Sequence, residues 1–352
     1  MLDGFDPGLS LWVAVGVGVV MAAFLILARR HYLAMPKLAP VRKSDGAPDC
    51  MVIIPARNEA AEIAGAVRSF PHDTVIVVDD QSSDGTAEIA REAGAGVLKA
   101  PEPKGAMGKA NACAAGARVL TSKWILFTDA DTRFEPGFLD AAVACAEANG
   151  LAFVSVYLRP EGDSWGARMA LPLAVALYFC GVSPRADAQA AFNGQCVLVR
   201  RSAYEFVGGH SAVLTSRIED VKLAALAERH RLTLATLRGP ELGRVRFRGL
   251  WRTIERSGAR FMLLNPWIGL TSLSAALSLA LWAPAAAWLW MDGERIAAGA
   301  FAILPMALAW SWYRSWRAVA APVAIYFLLP MIVNGFLAAL TGRRVEWKGR
   351  TI

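Results

Sequence analysis

A chain of 352 residues, 55% hydrophobic and 19% charged, has the length of about two soluble domains, but it is not all soluble, because apolar residues concentrate in the first 30 and last 90 positions. Its formal charge of +7 sits largely beside those apolar stretches, at Arg29-Arg30, Arg314-Ser-Trp-Arg317 and Arg343-Arg344, which is where cytoplasmic membrane flanks carry charge and gives a nucleic-acid-binding role no support. The five cysteines (Cys50, Cys113, Cys145, Cys180, Cys196) show no Cys-x-x-Cys spacing, which speaks against a zinc site or a disulfide framework and for a reduced compartment.

Residues 9–28 are apolar for long enough to cross a bilayer. No cleavage pattern follows and no basic residue precedes, whereas Arg29, Arg30 and Lys37 come after. A retained anchor with its C-terminal end inside is expected. A Pro-bearing linker over 36–48 leads to a short apolar run, Cys50-Met-Val-Ile-Ile54, ended by Pro55 and read as a strand. A helix is expected over 59–70 and a strand over 74–78, ended by Asp79-Asp80 and a turn at Ser82-Ser-Asp-Gly85. Then come a helix over 86–93, a strand over 96–98 and a small-residue helix over 109–120. A strand over 124–127 ends in Thr128-Asp-Ala-Asp131, and a helix over 138–148 and a strand over 151–158 follow. Such alternation predicts an α/β fold with a mostly parallel sheet and ligands at the carboxyl ends of its strands, where these acids stand. Residues 168–182 are strongly apolar but short for a span, so they are either a core helix or one lying in the membrane interface.

Past residue 247, Arg248, Arg252, Arg256 and Arg260 fall at four-residue spacing, one basic stripe if helical, suited to a membrane flank or to anionic groups. Three apolar stretches follow, over 263–291, 296–313 and 319–340, then a basic tail. Arginines on both sides of the last stretch argue for a cytoplasmic tail. That outcome needs either a break near Pro330, Asn334 and Gly335 or a 263–291 stretch that does not cross simply.

Three motifs carry chemistry. Asp129-Ala-Asp131 at a strand end offers two carboxylates to a hard divalent cation; Arg133 and Phe134 exclude an EF-hand. Pro101-Glu-Pro-Lys-Gly-Ala-Met-Gly-Lys109 is not a Walker A loop, since Pro103 replaces its first Gly and Ala110 follows the Lys. Gly105, Gly108 and Lys109 at a helix start can still bind phosphate, or form a plain loop. Glu219-Asp220 opens a helix, where acids favour the dipole or one of the pair serves as general base.

Taken in order, Val52-Ile-Ile-Pro-Ala-Arg-Asn-Glu59, Val77-Val-Asp-Asp-Gln-Ser-Ser-Asp-Gly-Thr86, Asp129-Ala-Asp131 and Glu219-Asp220 closely resemble the family 2 inverting glycosyltransferases of GT-A fold. A narrower likeness runs through Pro184-Arg185, Ala191-Phe-Asn-Gly-Gln-Cys-Val-Leu-Val-Arg-Arg201, Gly208-Gly-His210 and Val345-Glu-Trp-Lys-Gly-Arg350. It is to bacterial membrane transferases acting on carotenoid acids, hopanoids or ceramide-like lipids. The resemblance implies that Pro55, Arg57, Glu59 and Asp80 line the nucleobase and ribose pocket of a UDP-sugar donor and that Lys109 meets the diphosphate or ribose. It implies that Asp129 and Asp131 hold the nucleotide and a Mn²⁺ or Mg²⁺ ion, that Asp220 is the base with Glu219 beside it, and that Gln195 and His210 lie near the sugar or the acceptor.

A lipid acceptor favours the interface reading of 168–182. The expected organisation is then a membrane anchor over 1–30, a catalytic domain over 43–247, a basic interfacial helix over 248–262, membrane segments over 263–340 and a basic tail over 341–352. The expected location is the bacterial inner membrane, with the catalytic domain cytoplasmic. Arg246-Phe-Arg-Gly-Leu250 stands where processive synthases carry Gln-x-x-Arg-Trp, which implies transfer of a single sugar and leaves open what holds the acceptor. A processive synthase and a non-catalytic sugar-nucleotide scaffold are the alternatives.

Overall fold

Strands rich in Val, Ile and Phe organise the computed structural model, which describes residues 8–41, 47–183, 192–216, 218–253, 266–341, 346–347 and 350–351. β1 (Cys50–Ala56), β2 (Val75–Asp79), β3 (Gly96–Lys99), β4 (Trp124–Thr128), β6 (Phe153–Tyr157), β8 (Cys196–Arg200) and β9 (Leu234–Arg238) form one sheet in the order β3-β2-β1-β4-β8-β6-β9. Every ladder in it is parallel except those of β8 with β4 and with β6. β1, β2 and β4 are buried almost throughout because helices cover both faces of the sheet.

Period-two alternation sorts the side chains. Val52, Ile54, Val77 and Leu126 face one core with α2 (Ile63–Val67) and α5 (Phe138–Ala148). Ile53, Val78, Ile125 and Phe127 face the other with α4 (Gly108–Ala117) and α8 (Glu219–Arg229). Gly116 lets α4 lie close on the sheet, since a Cβ there would stand 2.8 Å from Val78 Cγ2.

The helix expected over 59–70 shrinks to α2. Asn58 takes a positive φ of 53°, and the next amides bond to a turn instead of starting a helix: Glu59 N–H donates to Thr86 Oγ1 at 2.8 Å and Ala60 N–H to Asp84 Oδ2 at 3.0 Å. Three short strands without an apolar period form a second sheet that the sequence reading missed, with β10 (Gly243–Phe247) between β5 (Thr132–Phe134) and β7 (Arg159–Gly162).

The second layer is helical: α1 (Leu9–Ala34), α6 (Trp165–Gly181), α9 (Leu250–Thr253), α10 (Pro266–Ala280), α11 (Trp282–Met291), α12 (Arg295–Tyr313) and α13 (Ala321–Leu340). Four helical stretches are long and apolar enough to cross a membrane: Leu9–Ala34, Pro266–Met291, Arg295–Tyr313 and Trp316–Leu337. The third expected stretch does not break at Pro330. α13 runs through it because Ala324, Ile325, Leu328 and Ile332 pack in the helical cluster, which offsets the missing backbone donor. The 263–291 stretch is divided at Leu281 between α10 and α11.

α6 lies inside this cluster, with nine of its 17 residues buried. Phe179 O faces His31 Nδ1 at 2.8 Å, Leu177 O accepts from Ser272 Oγ at 3.0 Å, and Met169 O accepts from Tyr313 Oη. The chain leaving α1 joins the sheet edge, where Arg238 N–H donates to Pro36 O and Leu38 N–H to Arg238 O, each at 2.9 Å. The basic stripe expected on one helix is corrected in part. Arg248 precedes α9 and pairs with Glu62, while Arg256, Arg260 and the side chain of Arg252 lie outside the described residues. In the tail, Glu346–Trp347 and Arg350–Thr351 form an antiparallel ladder; Arg343, Arg344 and Lys348 are outside the described residues.

Candidate active site

The carboxyl ends of β1, β2 and β4 bring the predicted residues together at one edge of the sheet. Arg57 donates from Nη1 to Asp80 O at 2.6 Å and Gln81 O at 3.2 Å, while Asp79 Oδ1 accepts from Ser82 N–H at 3.3 Å. Arg57, Glu59 and Asp80 therefore share one corner, beside the Asp84-Gly85-Thr86 turn that ties down Glu59.

Lys109, at the start of α4, reaches into a group of acids. Its Nζ is 2.7 Å from Asp129 Oδ1, 3.4 Å from Glu219 Oε1 and 3.3 Å from Gly194 O. Asp220 joins the group through Gly194, whose N–H donates to Asp220 Oδ2 at 2.6 Å; Asp220 Oδ1 caps Val221 N–H at 2.9 Å. A Cβ at Gly194 would lie 3.0 Å from Asp220 Oδ2 and 3.2 Å from Lys109 Nζ, so any larger residue would push on both charged ends. Burial pushes the lysine pKa down, but Asp129, Glu219 and Asp220 outweigh it and hold the ammonium above the ordinary lysine range. Burial raises the proton affinity of Glu219 and of Asp220, and Lys109 offsets only part of that rise.

Gln195 supports the β4 end. Its carbonyl accepts from Thr128 Oγ1 at 2.7 Å, and its side chain closes a ring with Asn193, through Asn193 Nδ2 to Gln195 Oε1 at 3.0 Å and Gln195 N–H to Asn193 Oδ1 at 3.1 Å. His210 is buried, 3.0 Å from Tyr204 Oη through Nδ1 and edge-on to Phe127. Gly209 at φ 52° allows this, because a Cβ there would overlap the Tyr204 ring. Burial, and then the charge of Lys109, lower the His210 pKa to about 3, so its ring is neutral. With Pro55, Lys109, Glu219 and Asp220 it lines a cavity of about 10 Å³, room for about one water.

Asp131 lies two residues beyond Asp129, and its carbonyl accepts from Arg246 N–H at 2.9 Å. Among the described residues no three His, Cys, Asp or Glu side chains converge as a metal site. Two carboxylates that leave the remaining positions to phosphate oxygens are nonetheless a donor set that Mg²⁺-like ions use.

Sequence reasoning missed two contributors. Gly194 lay within the run Ala191 to Arg201 that carries the narrower likeness, but no role was attached to it. Glu62 fell unremarked within the helix expected over 59–70, yet it is buried and pairs with Arg133, Arg246 and Arg248. Alternate arginines at 244, 246 and 248 were the available signal.

Residues 51–207 match the family described as glycosyl transferase family 2. The chain is 26% identical over 242 residues to a 4,4'-diaponeurosporenoate glycosyltransferase of Staphylococcus haemolyticus, a match covering 65% of this chain and 64% of that one. It is 37% identical over 131 residues to the protein of the same name from Staphylococcus aureus, covering 35% and 33%. The chain thus spans less than two thirds of the length of either relative. A mannosyltransferase of Pyrobaculum calidifontis, solved in complex with GDP-Man and Mn²⁺, superposes with a TM-score of 0.55 over 96% of this chain and 99% of that chain at 18% identity, which establishes a shared GT-A fold.

Proposed function

We propose that this chain, whose residues 51–207 form a family 2 glycosyltransferase domain, transfers a single sugar from a nucleotide-sugar donor, a UDP-sugar, to a membrane lipid, with inversion at the anomeric carbon. The names of its relatives put a carotenoid acid first among acceptors. The observation that carries the reading is the charge group at the strand ends. Lys109 sits on Asp129 and Glu219, and Asp220 is hung beside them on Gly194.

In the transfer, an acceptor oxygen forms a bond to the anomeric carbon from the face opposite the diphosphate. The bond from that carbon to the diphosphate oxygen breaks, and the nucleoside diphosphate leaves with the electron pair. With a hydroxyl acceptor, Asp220 takes the proton, a task its raised proton affinity suits. With a carboxylate acceptor no proton moves and the product is a glycosyl ester. Lys109 offers its charge to the departing diphosphate. Mn²⁺ or Mg²⁺ held by Asp129 and Asp131 would neutralise charge developing there. Arg57, Glu59 and Asp80 hold the nucleoside. The Arg29-Arg30 flank of α1 supports a cytoplasmic catalytic domain on a multi-pass protein of the bacterial inner membrane.

The test is incubation of the purified full-length chain with radiolabelled UDP-glucose and lipid extract. Label in the organic phase as a single-sugar product, dependent on Mn²⁺ or Mg²⁺, is expected. A long polymer would mark a processive synthase. No transfer and no hydrolysis across a panel of sugar nucleotides would leave a binding scaffold.

A further inference from the structure

Glu62 is 1% exposed and takes more positive charge than it needs. Arg133 alone serves a buried carboxylate, since its Nη2 lies 2.6 Å from Glu62 Oε2 and also donates to Glu62 O at 3.0 Å. Arg246 Nη1 adds a contact at 3.3 Å to Oε1, and Arg248 Nη2 a further one. Three guanidiniums on one carboxylate leave a net charge of +2 (three minus one). The side chains of Arg246 and Arg248 are 49% and 48% exposed, so the excess faces outward on preset arms. Arg244, two residues earlier on the same face of β10, differs: it is paired with Glu135 at 3.1 Å and Glu161 at 3.7 Å.

The location is as informative as the charge. At Arg246 the strand bonds to the carbonyl of Asp131. Phe247 packs against both the sheet core and the helical cluster, and Leu250 belongs to that cluster. The arginine pair therefore stands at the seam between the donor-site carboxylates and the apolar helices. An anion held there would have the apolar helices on one side and the strand end that carries Asp129 and Asp131 on the other.

We propose that Arg246 and Arg248, preset by Glu62, bind the carboxylate head of a long apolar acceptor. This deepens the transferase reading and rests on it. Two guanidinium forks match a carboxylate's two oxygens, and their fixed positions spare the entropy of ordering them on binding. The donor diphosphate is the other anion such a pair could take, and the experiment separates the two.

The probe is cis-parinaric acid, a fluorescent polyene fatty acid, titrated into the full-length protein in detergent and followed by energy transfer from tryptophan, with its methyl ester as the uncharged twin. Wild type should bind the acid more tightly than the ester. Arg246→Gln/Arg248→Gln should weaken the acid roughly tenfold or more, the worth of a charge-assisted hydrogen bond, and leave the ester unchanged. Arg244→Gln should behave as wild type. Binding of UDP with Mn²⁺ should be the same in all three proteins, which also shows that they are folded. Single Arg→Lys variants serve if the double variant does not fold, and they should weaken the acid too, because an ammonium lacks the fork. Equal binding of acid and ester by wild type, or a loss confined to UDP, overturns the proposal. Absence of sugar transfer with every donor would sink the transferase reading and leave this binding result standing.

Discussion

Two charge clusters of opposite composition meet at β5. In one, a single lysine, Lys109, serves Asp129, Glu219 and, through Gly194, Asp220; in the other, a single carboxylate, Glu62, serves Arg133, Arg246 and Arg248. Buried charge is costly unless paired, which is why each cluster keeps a counter-charge of the minority sign, and its more exposed majority members carry the excess. The first excess is negative and suits cations, the second positive and suits anions. The two differ in what the minority member does: Glu62 is buried scaffold, whereas Lys109 is the group proposed to meet the ligand's diphosphate.

The largest effect is expected beside the acidic cluster, at the second carboxylate of the Asp129-Ala-Asp131 run. Asp131→Ala should abolish sugar transfer while the thermal midpoint stays within a few degrees of wild type, and a chelator should reproduce the loss. Residual turnover in chelator would remove the cation from the scheme. Asp220→Asn sharpens the comparison. An alcohol acceptor should lose about 10²- to 10⁴-fold in rate, the usual worth of a general base, whereas a carboxylate acceptor should lose far less, since it is already deprotonated. Equal losses would make Asp220 a binding residue for both.

Next comes the minority member of the basic cluster. Glu62→Gln leaves three guanidiniums facing a neutral amide, and the full-length protein should lose stability by at most about 3–5 kcal/mol, the cost of removing one partner of a buried pair, because Arg246 and Arg248 are half exposed. Chemical denaturation in detergent reads this. The smallest effect concerns His210, which the fold keeps neutral down to about pH 3, whereas an unfolded histidine takes its proton near 6.5. Stability from this group is complete above pH 6.5 and is lost as pH falls toward 3. Because Glu219 and Asp220 have raised proton affinities, they act in the opposite sense as pH falls. The difference in thermal midpoint between wild type and His210→Asn, compared at pH 7 and pH 4.5, isolates the histidine and should narrow at the lower pH.

Much of the acidic site was legible in the sequence, because acids at the end of a buried strand stand where α/β sheets bind their ligands. Cys50 to Pro55, 74–78 and 124–127 announced β1, β2 and β4, and Asp79, Asp80, Asp129 and Asp131 followed from their ends. The basic cluster was not legible. Glu62 meets its arginines across 71, 184 and 186 residues of sequence, and β5, β7 and β10 carry Arg, Pro and Gly where an apolar alternation would have revealed strands. The helix over 59–70 was overestimated because Thr86 and Asp84 capture backbone amides from another segment, which no local pattern records. Pro330 misled for a related reason, since packing along α13 outweighs a local preference to break.

α6 has a practical consequence for anyone cutting this protein. A fragment trimmed to 43–247 would discard α1, α10, α12 and α13 and yet retain α6, with Leu173, Leu177 and Phe179 stripped of the neighbours that bury them. Gly181 fits so closely under Ile268 that a Cβ would stand 2.5 Å from its carbonyl oxygen, so the two helices meet there backbone to backbone. The catalytic lobe is thus stitched to its helices through the middle of its own chain as well as at both ends. Cutting all three stitches would lay bare on the lobe the apolar surface that they now cover.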